Sequence, residues 1–297
     1  MNFFCLFEVK KKIKQKIFYK KLVKEDKQIK ESVYNKIFEL KNGLIPGIYS
    51  EEDFIISLTS YGNRVENSLP YALYSLVNQT LVPKTIVVYL SQDEWNDNNL
   101  PKVLAKFKDV GVEYRFCEDI KSFKKIIPAL IDFPNNPIIT FDDDFYYDRK
   151  YIEFVRSEYD NSDKKTVLGQ WGCIPEKKDG EYIPYNKWRD GRQWTDGDPI
   201  SFFGCGCCYP PHIFDQEVLN KEVFMKLCPK ADDIWLWAME ERLGIKRKYI
   251  GRKGMYHRPV DQIFEYLVGQ DNSLTMYNVL NGENDIQLHN LLEYYNI

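Results

Sequence analysis

Three consecutive aspartates, Asp142-Asp143-Asp144, follow the apolar run 137–141 (Pro-Ile-Ile-Thr-Phe). Adjacent carboxylates repel one another and are costly as purely structural residues. Hard divalent cations such as Mn2+ or Mg2+ take oxygen ligands, often one or two carboxylates together with substrate phosphates. If strand geometry continues past Phe141, Asp142 and Asp144 point one way and Asp143 the other. An Asp-x-Asp pair of this kind could hold a cation that bridges a diphosphate. The plainer alternative is a solvated acidic turn.

A second acidic pair stands in Ala231-Asp232-Asp233-Ile234-Trp235. Either acid can cap a helix start, where Asp suits the exposed N–H groups and the dipole. One cap leaves the other acid unexplained, and Trp235 and Trp237 follow closely, as aromatic faces that could pack on sugar rings. One of the pair could accept a proton from an acceptor hydroxyl as general base. His257 could ligate a metal or meet phosphate, with Arg258 beside it, and Arg64 and Lys125 could meet phosphates or the base. An ordinary polar side chain solvated at the surface explains each of these last residues equally well.

The elements that must position them alternate in kind. Residues 54–58, 84–90, 112–117 and 137–141 read as short buried strands, rich in β-branched and aromatic residues. Helices are expected at 65–78, with Leu69, Leu73, Leu76 and Val77 on one face, at 101–107, and at 122–131, where Pro128 marks a kink or an end. This rhythm indicates βαβ units and a mostly parallel α/β sheet covered on both faces. Ligands of such sheets sit beyond the carboxyl ends of the strands, which gathers Thr59-Ser60-Tyr61 and the three aspartates at one crevice. Residues 176–198 read as a long loop or lid, and 231–243 as a helix. No internal repeat is present.

The division expected is 1–50 as a basic helical extension, 51–160 as a nucleotide-sugar-binding half and 161–297 as an acceptor-binding half with a C-terminal segment. Between Lys10 and Lys30 ten lysines face two acids, while Phe3, Leu6, Phe7, Ile13, Ile17, Phe18 and Leu22 recur at helical spacing. Such a helix can lie on an anionic membrane surface or pack on the main domain by the same stripe. Asn42-Gly43 and Pro46-Gly47 are breakers before the main domain. No run reaches the roughly 18 apolar residues of a membrane span, and no secretory leader is evident, so a cytoplasmic protein is expected, held at most peripherally on the inner face of the membrane. A formal charge of −3 gives no sign of a nucleic-acid partner. Of the seven cysteines only Cys205, Cys207 and Cys208 cluster, and with Phe202, Phe203 and Tyr209 around them they read as packed thiols.

Taken in order, these motifs resemble bacterial GT-A glycosyltransferases of lipopolysaccharide, lipooligosaccharide and capsule synthesis. The matching stretches are residues 55–61 (Ile-Ile-Ser-Leu-Thr-Ser-Tyr), 75–80 (Ser-Leu-Val-Asn-Gln-Thr), 139–144, 204–211 and 231–235. The resemblance spans about 53–260 and implies a GT-A fold, a Rossmann-like, mostly parallel sheet flanked by helices, with an N-terminal helical extension. It implies that Thr59, Ser60 and Tyr61 edge a nucleobase pocket. It also implies that Asp142 reaches the ribose or a metal-bound water and that Asp144 ligates the metal. By the same resemblance Asp233, with Asp232 beside it, falls where the base stands, 204–209 shapes the acceptor side, and His257 completes the metal site. Three cysteines stand in 204–209 where small or aliphatic residues are expected.

The reaction this implies is hexosyl transfer from a nucleoside-diphosphate sugar, a UDP-sugar by preference, to a hydroxyl of a glycan or lipid-linked glycan. Arg64, Lys125, Asp142, Asp143 and Trp235 would contact substrate. Two other classes fit parts of the pattern. A phosphohydrolase of the haloacid type uses an Asp-x-Asp and Mg2+, but there the motif runs on into Gly-Thr and here into Phe145-Tyr146-Tyr147. A non-catalytic carbohydrate-binding protein would use Trp171, Trp188, Trp194 and Trp235 as platforms and leave the aspartates idle.

Overall fold

The computed structural model describes residues 3–40, 53–202, 204, 206–251, 255, 257–263 and 282–297, with side chains of the first helix described from Gln15 onward. Phe203, Cys205, Tyr256, the breakers at 42–47 and the apolar stretch 264–268 lie outside the described residues. The chain begins with a 36-residue helix, α1 (Phe3–Phe38). Three βα units and a fourth strand follow: β1 (Ile55–Thr59), α2 (Arg64–Asn67) and α3 (Leu69–Val77), β2 (Thr85–Ser91), α4 (Lys102–Lys108), β3 (Val112–Cys117), α5 (Ile127–Asp132) and then β4 (Ile138–Phe141). β4, β1, β2 and β3 pair in parallel in that spatial order.

The second half of the chain extends the same sheet. After β5 (Phe145–Tyr146) and α6 (Tyr151–Asp160) come β6 (Val167–Gly169) and β7 (Gly172–Ile174). The hairpin of β8 (Lys177–Lys178) and β9 (Glu181–Tyr182) leads to β10 (Arg189–Asp190), β11 (Ser201–Phe202) and β12 (Cys207–Tyr209). The chain closes with α7 (Lys221–Leu227), α8 (Asp232–Leu243), β13 (Arg247–Tyr249), β14 (Arg258–Pro259) and α9 (Glu283–Tyr295). The seven-stranded order is β13-β6-β12-β4-β1-β2-β3, with β12 alone reversed. The sheet is therefore mostly parallel and flanked by helices, as the alternating pattern predicts.

Strand alternation divides the core between the two faces. Ile56, Leu58, Val88 and Leu90 face the cluster under α3, α4 and α6. Ile55, Val87 and Tyr89 face the cluster under α5, α7, α8 and α9. Both faces being covered, the parallel strands read as continuous apolar runs rather than alternating ones.

Four expectations are corrected. The helix at 65–78 is two helices broken at Ser68, because Pro70 in the first turn of α3 cannot donate to the preceding turn. The helix at 122–131 is a 3-10 turn, Lys121–Lys125, followed by α5 with Pro128 in its first turn. Residues 176–198 are no open lid: the segment is tied down by short strands, and Trp188 is buried beside Tyr182, Tyr185 and Trp237. On α1 the covered stripe starts at Tyr19 and runs through Leu22, Asp26, Val33 and Ile37, whereas Ile17 is 62% exposed and Phe18 51%, so of the expected stripe's described side chains only Leu22 is covered. Cys207 and Cys208 are buried strand residues, and burial pushes both thiols above the ordinary range, as packed thiols require.

Candidate active site

The strand order reverses between β1 and β4, and in open α/β sheets the crevice at that switch point takes the ligand. The three aspartates occupy a turn there rather than a continuation of β4. The Tyr147 hydroxyl donates to the Asp142 carbonyl at 2.7 Å and accepts from the Asp142 N–H at 3.0 Å. The Val260 N–H donates to the Asp144 carbonyl at 2.7 Å. Because the chain turns, the alternation expected of Asp142 and Asp144 is lost. Asp142 points to Lys125, while Asp143 and Asp144 share Arg64.

Arg64, at the start of α2, forks onto both oxygens of Asp143 and reaches Asp144 Oδ2 at 2.8 Å. Ser60, at the end of β1, donates to Asp143 as well. Asp143 is thus a buried anchor, 4% exposed, that fixes β1 and α2 to the turn. A planar guanidinium suits this two-oxygen grip better than a lysine would. Opposing charges hold Arg64 firmly protonated against the cost of its burial.

Lys125 comes from the 3-10 turn before α5 and is nearly buried. Its ammonium donates to Asp142 Oδ1 at 3.1 Å and stands 3.1 Å from Asp232 Oδ2. Burial opposes that charge, but Asp142, Asp232 and Asp233 outweigh it and hold the lysine pKa well above its ordinary value. Asp232 and Asp233 are the first two residues of α8, and the cap position before them is Ala231, so neither acid is the cap. Their place in the first turn still suits the helix dipole. Asp233 keeps part of its surface exposed, and its Oδ1 accepts from the Ile234 N–H at 3.0 Å. Burial, then the neighbouring Asp232, pushes its carboxyl up to about 7, with Lys125 opposing.

Asp144 is the other perturbed carboxyl. Burial pushes it up to about 6, against Arg64 and with help from Asp142 and Asp143. Its Oδ1 is sealed from solvent and has no hydrogen-bond partner. An unmatched buried carboxylate oxygen is costly unless something else satisfies it. Among the described residues no group of three or more His, Cys, Asp or Glu side chains is placed to hold a metal ion, so Asp142, Asp144 and His257 are not brought together as one ligand set. The donor set that is present, one orphaned carboxylate oxygen with Asp142 nearby, fits a cation that takes its remaining ligands from phosphates and water.

The other expected residues divide. Thr59 donates to the Tyr89 carbonyl at 2.8 Å, and Tyr61 is an exposed ring with the Arg64 guanidinium 5.4 Å from its centroid. Both flank the crevice with Ser60. His257 Nε2 lies 3.3 Å from Gln170 Oε1, and its ring packs edge-on to Tyr147 and Tyr151. Trp235 is corrected outright. It is 0% exposed, donates to the Val218 carbonyl at 3.0 Å and packs on Phe224 and Tyr295, so its ring meets protein and no sugar. Trp237 is buried too, because α8 is enclosed on most sides.

Sequence reasoning missed Tyr147 and Tyr151, and it read Gly206 as part of an acceptor-side segment rather than as the seat of the Tyr151 hydroxyl. The Tyr151 hydroxyl donates to the Gly206 carbonyl at 2.9 Å, and any Cβ at Gly206 would fall onto that hydroxyl. Gly206 also has φ +80°, which L side chains rarely adopt. The alternation of Gly204 and Gly206 was the available signal. Nothing in the sequence separates Tyr147 from an ordinary core tyrosine.

No protein-family model and no curated protein matches this sequence. Among solved structures the chain is similar to S. aureus TarS 1-349 in complex with UDP, at 15% identity and a TM-score of 0.43, covering 69% of this chain and 59% of that one. It is also similar to CMP:2-keto-3-deoxy-manno-octonic acid synthetase complexed with CTP, at 8% identity and a TM-score of 0.42, covering 67% and 90%. A third likeness is to 4-diphosphocytidyl-2C-methyl-D-erythritol synthase, at 10% identity and a TM-score of 0.38, covering 67% and 89%. At such distances function is argued from this chain's own side chains.

Proposed function

We propose that the protein transfers a hexosyl group from a nucleoside-diphosphate sugar, a UDP-sugar by preference, to a hydroxyl of a glycan or lipid-linked glycan. The observation that carries this reading is the meeting of two carboxylate sets at one switch-point crevice, bridged by Lys125. One set suits a cation and a diphosphate, and the other offers a proton acceptor. Asp144 and Asp142 would hold Mn2+ or Mg2+, which when bound supplies positive charge where the diphosphate departs.

The chain's own residues divide the remaining work. Asp233 has a carboxyl tuned to about 7, the range in which a general base combines availability with driving force. It would take the proton from the acceptor hydroxyl as that oxygen attacks the sugar carbon. Asp232, paired with Lys125, orients its neighbour rather than sharing the proton. This assignment holds for an inverting transfer; in a retaining one the two acids orient substrate. Ser60, Thr59 and Tyr61 would border the nucleobase, and Arg64 stands where it can turn from Asp144 to a phosphate. His257, packed on Tyr147 and Tyr151, is left out of the ligand set. The resemblance of the motifs to lipopolysaccharide and capsule enzymes supports a surface polysaccharide as the product.

The rival carbohydrate-binding reading loses two of its four platforms, since Trp188 and Trp235 are buried, while Trp171 and Trp194 are half-buried and packed on the core. A panel of UDP-, GDP- and CMP-sugars, assayed for nucleotide release with simple glycan acceptors, tests the proposal. Release from one diphosphate sugar by wild type and not by Asp233→Asn supports it. Release from none, with sugar bound and no nucleotide bound, would return the reading to a binding protein.

A further inference from the structure

The first helix changes its role part-way along. From Tyr19 onward one stripe turns to the body: Tyr19, Leu22, Val23, Asp26, Ile29, Lys30, Val33 and Ile37 are each partly or fully covered. Residues 15–18 are all exposed, and the helical backbone continues unbroken back to Phe3. At 1.5 Å per residue, residues 3–18 extend roughly 24 Å beyond the packed stripe. Across 3–24 the sequence carries Lys10, Lys11, Lys12, Lys14, Lys16, Lys20, Lys21 and Lys24 against Glu8 alone, interleaved with apolar residues such as Ile13 and the exposed Ile17.

The packed part of α1 is tied to the candidate active site. Asp26, buried, accepts from the Gln262 N–H at 3.3 Å and pairs with Lys30 at 2.9 Å, and Lys30 lies 3.9 Å from Asp261. One residue further back, Val260 donates to the Asp144 carbonyl. Whatever holds the helix therefore holds the segment that pins the aspartate turn.

We infer that the projecting basic part of α1 docks the protein on an anionic lipid bilayer, fixing the crevice beside that surface so that the acceptor is met there as a lipid-linked molecule. Charge chooses the occupant: a run of lysines with one acid is drawn to anionic headgroups, while interleaved apolar side chains enter the boundary below them. A second copy of the same helix would bring like charges together. No described helix is long and apolar enough to cross a membrane, so the contact is with one surface. The nature of the acceptor rests on the transferase reading; the docking itself does not.

The test uses the full chain and phosphatidylcholine vesicles with and without phosphatidylglycerol, in a flotation assay. Wild type floats with the anionic vesicles only, and raising the salt releases it. Replacing Lys10, Lys11, Lys12, Lys14 and Lys16 by Gln lowers vesicle affinity by more than about tenfold. Ile17→Glu also weakens it, while nucleotide binding is unchanged in both variants. Failure of nucleotide binding in wild type would remove the transferase reading and leave the docking intact. Equal flotation with both vesicles, salt-insensitive binding, or no flotation together with a dimer in solution broken by Ile17→Glu would overturn the inference.

Discussion

The Lys125 ammonium stands 3.1 Å from Asp232 Oδ2 and 3.1 Å from Asp142 Oδ1, so one side chain joins the aspartate turn after β4 to the first residue of α8. Two segments separated by ninety positions in the sequence are held in register by that cation. Lys125→Met leaves both acids without their countercharge. Breaking a buried ion pair by removing one partner costs about 3–5 kcal/mol. Urea denaturation should show a loss of this order, and Lys125→Arg should recover part of it.

Asp233→Asn separates chemistry from binding. Loss of a general base lowers kcat by about 10²–10⁴-fold, whereas the donor KM should stay near its wild-type value. Steady-state kinetics with the preferred donor checks both. A parallel fall in donor affinity would instead place Asp233 on the nucleotide.

The same carboxyl gives a pH dependence of stability. The unfolded carboxyl titrates near 3.9, as an ordinary aspartate does, and the folded one at about 7. Between these values the folded protein holds a proton that the unfolded chain has released. Stability therefore falls as the pH rises from about 4 to about 7, and this contribution is flat above that window. Glu240, pushed up to about 7 by burial against the pull of Arg247, adds a contribution of the same sign. Denaturation midpoints of Asp233→Asn and Glu240→Gln across this range should each show a shallower decline than wild type.

Gly206→Ala tests the packing behind the turn. The new Cβ would meet the Tyr151 hydroxyl in a backbone conformation that disfavours any side chain. A loss of about 1–3 kcal/mol is expected, with the hydrogen bond from Tyr151 broken. Tyr151→Phe, which removes only the hydroxyl, should cost less and should relieve part of the clash in the double variant.

Much of this fold was legible because its strands are local runs. Residues 112–117 and 137–141 announce themselves by β-branched and apolar content, and three acids directly after a buried strand are costly without a charged partner. Pro128 reads in the sequence as a kink or an end, whereas it stands in the first turn of α5, and Pro70, inside the expected helix 65–78, likewise stands in the first turn of α3. Long-range pairing was not legible. Cys207–Tyr209 is a reversed strand between β4 and β6, and a three-residue strand carries too little pattern to be read alone. The sugar-platform reading of Trp235 failed because spacing gives a helix face without saying what covers it. Arg64 and Lys125 were found as cations at the crevice, but their carboxylate partners depend on a turn that residue type does not specify.

On the proposed reading the aspartate turn binds a nucleoside diphosphate together with a divalent cation. Calorimetric titration of UDP, GDP and CMP, with and without Mn2+, on wild type and Asp144→Ala addresses it most directly. One diphosphate should bind wild type only when the cation is present, and Asp144→Ala should stay folded and lose this binding. Absence of binding by every nucleotide to folded wild type with Mn2+ present, or equal binding by Asp144→Ala, would contradict it.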